Sequence, residues 1–489
     1  MTVGAPTAAR VGTSPDPRGA RTGDPVDTSV DGPVDGVRTP SGGPGRSRPD
    51  RIVRRGLPVY FWLFVAFVAA NMFSGYSSYL GFPIGPDRLL FAAFVVLLVL
   101  DRRTWQEHRI NVGFVHLAML ALTLLAVFSA MQHGSLTSKV GGYALLDRLA
   151  VPFVLFVLAP LVLSTPVRRD LFLKLAVLVA VYLGGTAMVE MLGPVSLVHP
   201  RYIADPSVGI HFGRARGPFV EAVADGVVMV QVGFAAGVAA VRFRSWWRYA
   251  SVAATALCGL GVVLTLTRSV WLGGAASLLL VTLLVPRLRR FFPLLVIGGF
   301  LAVAALFAFV PGLSEQANTR ANDTRPVWDR QNTDLAALRI MEQHPLQGIG
   351  WQQFIDHGVD YVRQARDYPI TATHLEVHNV LLARGAELGL PGLLLFSACL
   401  LLGPVRGVFT RSRTGEHEGW RVILIGSAAA WFAGAMLSPL GTPLPNFLLW
   451  IVAGVVLAPA TVGRGAGATA RTPVPGGLVG PPGAGHSGP

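Results

Sequence analysis

The sequence is short of charge and of several residue types on which soluble enzymes depend. Asp, Glu, Lys and Arg make up only 14% of its 489 residues, whereas a soluble chain carries about 25%, so a string of ordinary soluble domains is excluded. Only two lysines occur, Lys139 and Lys174, and neither follows a glycine; the Gly-Lys-Ser/Thr phosphate cradle of a P-loop enzyme is missing. The two cysteines, Cys258 and Cys399, lie in separate apolar stretches outside any Cys-x-x-Cys or Cys/His array, which signals neither a disulfide nor a metal site. No Asp-x-Asp pair appears, and this weakens a metal-dependent nucleotide-sugar mechanism. The first fifty residues contain no apolar run that would serve as a signal-peptide core.

What is abundant is apolar sequence, 52% of the chain, with a mean hydropathy of +0.52. It is gathered into blocks, and a bilayer-spanning helix needs about 20 mostly apolar residues. Twelve such blocks are read at 57–74, 82–100, 112–131, 146–163, 171–192, 219–241, 249–266, 270–285, 291–310, 380–402, 420–437 and 444–460. Pro83, Pro86 and Asp87 shorten the second; Asp147, Arg148 and Pro152 interrupt the start of the fourth. The expected class is therefore all-α: a polytopic membrane protein of about twelve transmembrane helices, with a long outer loop between spans nine and ten. Its divisions are a disordered tail (1–50), spans one to nine (51–310), an outer loop with short helices (311–378), spans ten to twelve (379–460) and a second Gly/Pro-rich disordered tail (461–489).

Of the net charge of +14, +12 belongs to the membrane body, because six arginines and six aspartates cancel in the first tail and the second tail carries only Arg464 and Arg471. Basic residues recur at alternate connections: Arg51, Arg54 and Arg55; Arg102, Arg103 and Arg109; Arg168 and Arg169; Arg242, Arg244 and Arg248; Arg287, Arg289 and Arg290; Arg406, Arg411 and Arg413. The positive-inside rule then puts both termini in the cytoplasm of a multi-pass cytoplasmic-membrane protein. Arginines scattered at span ends are topology signals, and no nucleic-acid partner is expected. The opposite side carries the 311–378 connection, with Trp328, Trp351, Tyr361 and Tyr368, and a smaller one at 193–218. A structureless loop of the first length is unusual, so helices are expected in it.

Chemistry concentrates on that outer side. The stretch from Thr373 to Gly392 brings His374, Glu376, His378, Asn379, Arg384 and Glu387 to the point where the chain re-enters the membrane, where polar groups are costly and usually functional. A water-facing interfacial helix is the plain alternative. Zinc binding by His374 and His378 is another, but a hydrolytic zinc helix has Glu directly after its first His, and residue 375 is Leu; no metal and no cofactor are expected. Arg216, just before the sixth span, and Arg268, in the tight turn between the seventh and eighth, offer planar guanidinium groups that match phosphate oxygens. Their alternative role is to anchor in lipid headgroups.

These residues carry a family resemblance. His378-Asn379, nine residues, Gly389, two residues and Gly392 resembles the His-Asn/Ser-x9-Gly-x-x-Gly signature of the O-antigen ligase and polymerase family of membrane glycosyltransferases. Arg325-x-x-Trp328 followed by His344-Pro345-Leu346-Gln347-Gly348-Ile349-Gly350-Trp351-x-x-Phe354 is similar to the end of that family's outer loop. Thr267-Arg268-Ser269 and Arg216-Gly217-Pro218-Phe219 resemble its two arginine motifs, although the family often has Asn-Pro-Asn where this chain has Val220-Glu221-Ala222.

The resemblance implies a metal-independent, inverting transfer or polymerisation of a glycan from a polyprenyl-pyrophosphate carrier onto an acceptor hydroxyl at the outer face of the membrane. The acceptor is a glycan, lipid or protein, and membrane lipids surround the chain. His378 would be the catalytic base, and Arg216 and Arg268 would hold the leaving pyrophosphate. Arg325, Asn379, Glu376 and Glu387 join the candidate substrate-binding set, with Trp328 and Trp351 covering the glycan. A twelve-span secondary transporter or lipid-linked glycan flippase is the competing class, though the motifs crowd one edge of the second half instead of repeating in both halves. A membrane scaffold is a third reading.

Overall fold

A computed structural model describes residues 56–77, 84–309, 312–363, 376–412 and 414–464. The expected tail 1–50, residues 465–489, His374 and Tyr368 lie outside the described residues. Each of the twelve apolar blocks coincides with a helix: α1 (Val59–Asn71), α2 (Pro86–Leu100), α3 (Phe114–Gln132), α4 (Lys139–Val162), α5 (Pro166–Leu192), α6 (Ala222–Arg242), α7 (Trp246–Leu264), α8 (Arg268–Leu284) and α9 (Phe292–Phe309) precede the long connection. Within it lie α10 (Leu313–Asn322) and α11 (Arg325–Gln343); α12 (Val380–Leu400), α13 (Gly415–Leu437) and α14 (Pro443–Thr461) follow. Among the described residues nine helices are long and apolar enough to cross a membrane, which makes this an all-α multi-pass membrane protein. α1, α2 and α8 are shorter, at 13, 15 and 17 residues.

Two block boundaries differ from the expected ones for a local reason. α4 starts at Lys139, because Asp147 and Arg148 do not interrupt it; they sit in a π-helical turn, Leu146–Ala150, inside the continuous helix. α2 begins only at Pro86, whose missing N–H and fixed φ suit a first helical position.

The helices are apolar nearly all round, so lipid offers no contrast that would drive their association; packing and buried polar bonds do that work. α6 and α14 are the most enclosed, while none of the described side chains of α9 is buried. α6 packs on α5, α7 and α13; α13 on α8; α14 on α4; and α3 on α12. Gln231 of α6 donates to the Pro445 carbonyl of α14 (3.0 Å), Ser277 of α8 to the Gly426 carbonyl of α13 (2.8 Å), and Asn71 of α1 to Asp87 of α2 (2.9 Å). Bonds of this kind contribute about 0.6 kcal/mol each on average in membranes.

The connections gather at two opposite ends. At one end Arg242 meets Asp170 and Glu416, Arg169 meets Glu416, and His108–Ile110 pairs antiparallel with Val462–Arg464. At the other, Arg88 meets Asp147, Arg148 meets Glu376, Glu221 accepts from Thr442, and Ser135 donates to the Trp351 carbonyl. Every candidate site residue lies at this second end.

Candidate functional site

The centre of the site is the short segment 376–379 that leads into α12. Asn379 caps the helix: its Oδ1 accepts from the N–H groups of Leu381 (3.0 Å) and Leu382 (3.2 Å), as an N-terminal Asn is suited to do. His378 therefore stands directly before the positive end of a helix dipole, which disfavours imidazolium. Burial lowers its pKa from the ordinary value, the Arg330 guanidinium lowers it further, and Asp329, Glu376 and a backbone hydrogen bond at Glu376 pull the other way. Its Nδ1 is buried and has no hydrogen-bond partner among the described residues. Burial and the neighbouring cation thus favour the neutral form of this imidazole.

Of the arginines on this side, Arg330 is the one that acts on His378, with Arg268 in range of Arg330. Arg268 is the first residue of α8, exposed, with Nη2 3.1 Å from the Asp323 carbonyl. Arg330, on α11, donates from Nε to the Leu437 carbonyl at the end of α13 (3.0 Å). Burial and the charge of Arg268 both lower the proton affinity of Arg330, and Arg330 acts in the same way on His378. Asp334, one turn further along α11, is pushed up to about 6 by burial, against the pull of Arg330. Arg268 at the positive end of α8 and Arg330 within electrostatic range of it concentrate positive charge on this rim. Arg214 joins it through Thr267, Nη1 to Oγ1 at 3.5 Å. Arg325 lies at the N-terminus of α11, 71% exposed and paired with Asp323 at 3.2 Å.

Arg216 is placed differently. It is fully buried, and its guanidinium donates to the carbonyls of Val208 (2.7 Å), Ile210 (3.4 Å), Ile203 (2.8 Å) and Asp205 (2.6 Å) while stacking on Phe212. Glu190 accepts from the N–H groups of Arg216 and Gly217. These contacts tie the 201–217 connection together and leave the guanidinium facing backbone. The following residue of that motif, Val220, has φ +49, a left-handed conformation that Asn tolerates and a β-branched side chain resists; this is where the family often places Asn.

The two acidic candidates are also engaged. Glu376 holds Arg148 of α4, whose Nη2 is 2.9 Å from both carboxylate oxygens. Glu387, deep in α12, accepts from Arg384 (2.7 Å) and Gln352 (3.3 Å). Arg384 stacks over the Trp351 ring at 4.4 Å. Trp351 is fully buried, with its N–H groups bonded to Ser129 Oγ and the Gly141 carbonyl. It is a core anchor for the connection between α9 and α12, and its ring is not on a surface that could cover a glycan.

The signature glycines have a structural cause. α12 breaks at Gly389 (φ +69, ψ −171), a region essentially reserved to glycine. The break is closed by the 345–350 turn: Ile349 donates to Ala386 (2.9 Å), Gly350 to Glu387 (3.0 Å), and Leu390 to Pro345 (2.7 Å). A Cβ at Gly389 would stand 2.5 to 2.7 Å from backbone atoms of Leu346 and Pro345, and one at Gly392 would meet the Leu388 side chain at 2.2 Å. The two motifs thus form one hydrogen-bonded unit beneath His378.

Arg330 and Arg148 lie outside the motifs, whereas Arg384 stands within the Thr373–Gly392 stretch. Arg148 carried one usable signal, a cation inside an apolar block; Arg330, on a polar loop helix, carried none.

No curated protein matches the chain. Residues 253–397 match the family model described as O-antigen ligase. The matched region takes in Arg268, Arg325, Arg330, Glu376, His378, Asn379 and Glu387 and begins beyond Arg216. Over this region, less than a third of its length, the chain is similar to the O-antigen ligase family.

Proposed function

We propose that the protein is a membrane glycosyltransferase that moves a glycan from a polyprenyl-pyrophosphate carrier to an acceptor hydroxyl at the outer face of the cytoplasmic membrane. The observation that carries this reading is a buried imidazole, His378, whose Nδ1 has no hydrogen-bond partner among the described residues and which lies within electrostatic range of Arg330, itself within range of Arg268. Pyrophosphate is a good leaving group, so the protein has two tasks: to stabilise the charge that develops on it and to take the proton from the incoming hydroxyl. Arg268 and Arg330, with the N-terminus of α8, serve the first; His378 serves the second. The acceptor oxygen attacks the anomeric carbon, the carbon–phosphate oxygen bond breaks, the hydroxyl proton passes to His378, and the carrier leaves as its pyrophosphate. Direct displacement inverts the anomeric centre.

Arg330 takes the place first expected for Arg216, whose guanidinium faces backbone carbonyls. The test is donor kinetics of purified variants. Arg268→Ala and Arg330→Ala should weaken use of a polyprenyl-pyrophosphate-linked glycan about tenfold or more, as expected for losing a charge-assisted bond of about 1.5–3 kcal/mol. Unchanged donor kinetics in both would contradict the pyrophosphate role.

A further inference from the structure

We propose that Arg148 is a positioning residue for the base: by clamping the Glu376 carboxylate from α4, it fixes the segment that presents His378 to the acceptor hydroxyl. This rests on the reading of His378 as base given above.

Segment 376–379 is irregular, and it is held at three points. Val377 is buried in an apolar cluster with Ala336, Ala337, Ile340 and Phe354. Asn379 caps α12. Glu376, two residues before His378, is gripped by Arg148 from 228 residues away in the sequence, one nitrogen straddling both carboxylate oxygens. Arg148 is itself held in place: it lies in the π-helical turn Leu146–Ala150, and the neighbouring Asp147 is bonded to Arg88 of α2 at 2.7 Å. π-Turns of this kind recur at functional sites.

The clamp is also an electrostatic necessity. Glu376 lies within range of two further carboxylates, Glu221 and Glu387. Arg148 and Arg384 offset these three acids. Without Arg148, like-charge repulsion drives the Glu376 side chain outward and drags the backbone beside His378 with it. A displacement of about 1 Å at a reacting group costs up to about 100-fold in rate.

The same geometry predicts a pH signature. The charged groups facing His378 are Arg330 and Asp329 from α11 and Glu376 from its own segment. Removing Arg148 exposes the full negative charge of Glu376 to the imidazole, which favours imidazolium. The acid limb of the rate profile then moves to higher pH.

The experiment measures kcat, donor KM and pH profile for purified, monodisperse Arg148→Ala, Arg148→Lys and Arg148→Gln/Glu376→Gln, with His378→Ala as reference. The donor is a polyprenyl-pyrophosphate-linked glycan purified from cells lacking the protein. Arg148→Ala should lose about 10- to 100-fold in kcat with little change in donor KM and with its acid limb shifted upward. Arg148→Lys should recover part of the loss, and the double variant should restore the limb while kcat stays low. Full kcat in Arg148→Ala overturns the inference, and so does a loss confined to KM, which would make Arg148 a direct substrate ligand. If Arg148→Ala does not fold, Glu376→Ala removes the clamp from the other side, and unchanged kcat there is equally decisive. Wild-type kcat in His378→Ala would instead overturn the reading of the base itself.

Discussion

At the scale of single residues, surroundings separate arginines that tie backbone together from those left on the rim of the candidate site, a distinction that residue type alone does not carry. Arg216 and Arg330 have identical chemistry and opposite surroundings. Arg216→Ala leaves several buried carbonyls without donors, at an expected cost of about 3 kcal/mol or more. Thermal unfolding in detergent should register that loss, while the folded fraction keeps its donor KM. Arg330→Ala should show the reverse, near-normal stability and impaired donor use. The depressed proton affinity of His378 places the acid limb of kcat/KM below the ordinary value of about 6.5. Removing Arg330 takes away a cation that repels the proton, so in Arg330→Ala that limb should move upward. The motifs around His378 and Arg268 were legible in the sequence because each is short and lies at a span end. Arg330 was not, since a charged residue on a polar helix reads as solvated until the neighbouring elements are in place.

At the scale of elements, the informative feature is the broken α12. The apolar block 380–402 reads as one continuous helix, and the glycines of the signature read only as a motif. Their physical reason lies 40 residues upstream in the chain, in a turn whose N–H groups satisfy the carbonyls freed by the break. Sequence order hides such a contact because neither partner is irregular by itself. Gly389→Ala forces a Cβ against the Pro345–Leu346 backbone in a conformation closed to alanine, which should cost at least about 2 kcal/mol. Calorimetry or thermal-shift measurement in detergent checks this; wild-type stability would show that the break is not required. The π-turn of α4 is a second element that hydropathy misread, since Asp147 and Arg148 look like an interruption until Arg88 and Glu376 are seen to receive them.

For the whole molecule, hydropathy located the helices well because apolar blocks and helix lengths follow directly from bilayer thickness. The alternating arginines separated the connections into the same two groups that meet at the two ends of the structure. Sidedness is open to chemical labelling, because Cys258 and Cys399 are both buried. With the positive-inside orientation, cysteine introduced at the exposed Ser314 should react with an impermeant maleimide in intact cells. Cysteine introduced at the exposed Arg103 should react only after permeabilisation, and the reverse pattern would move the site to the cytoplasmic face. The central claim, covalent transfer with His378 as base, is tested most directly by reconstituting the purified protein with a polyprenyl-pyrophosphate-linked glycan and an acceptor glycan or lipid, and following product and released carrier. The account predicts acceptor-linked glycan of inverted configuration with equimolar polyprenyl pyrophosphate, and loss of both in a folded His378→Ala variant. Movement of the lipid-linked glycan across the bilayer without any covalent product, or full transfer by His378→Ala, would contradict it.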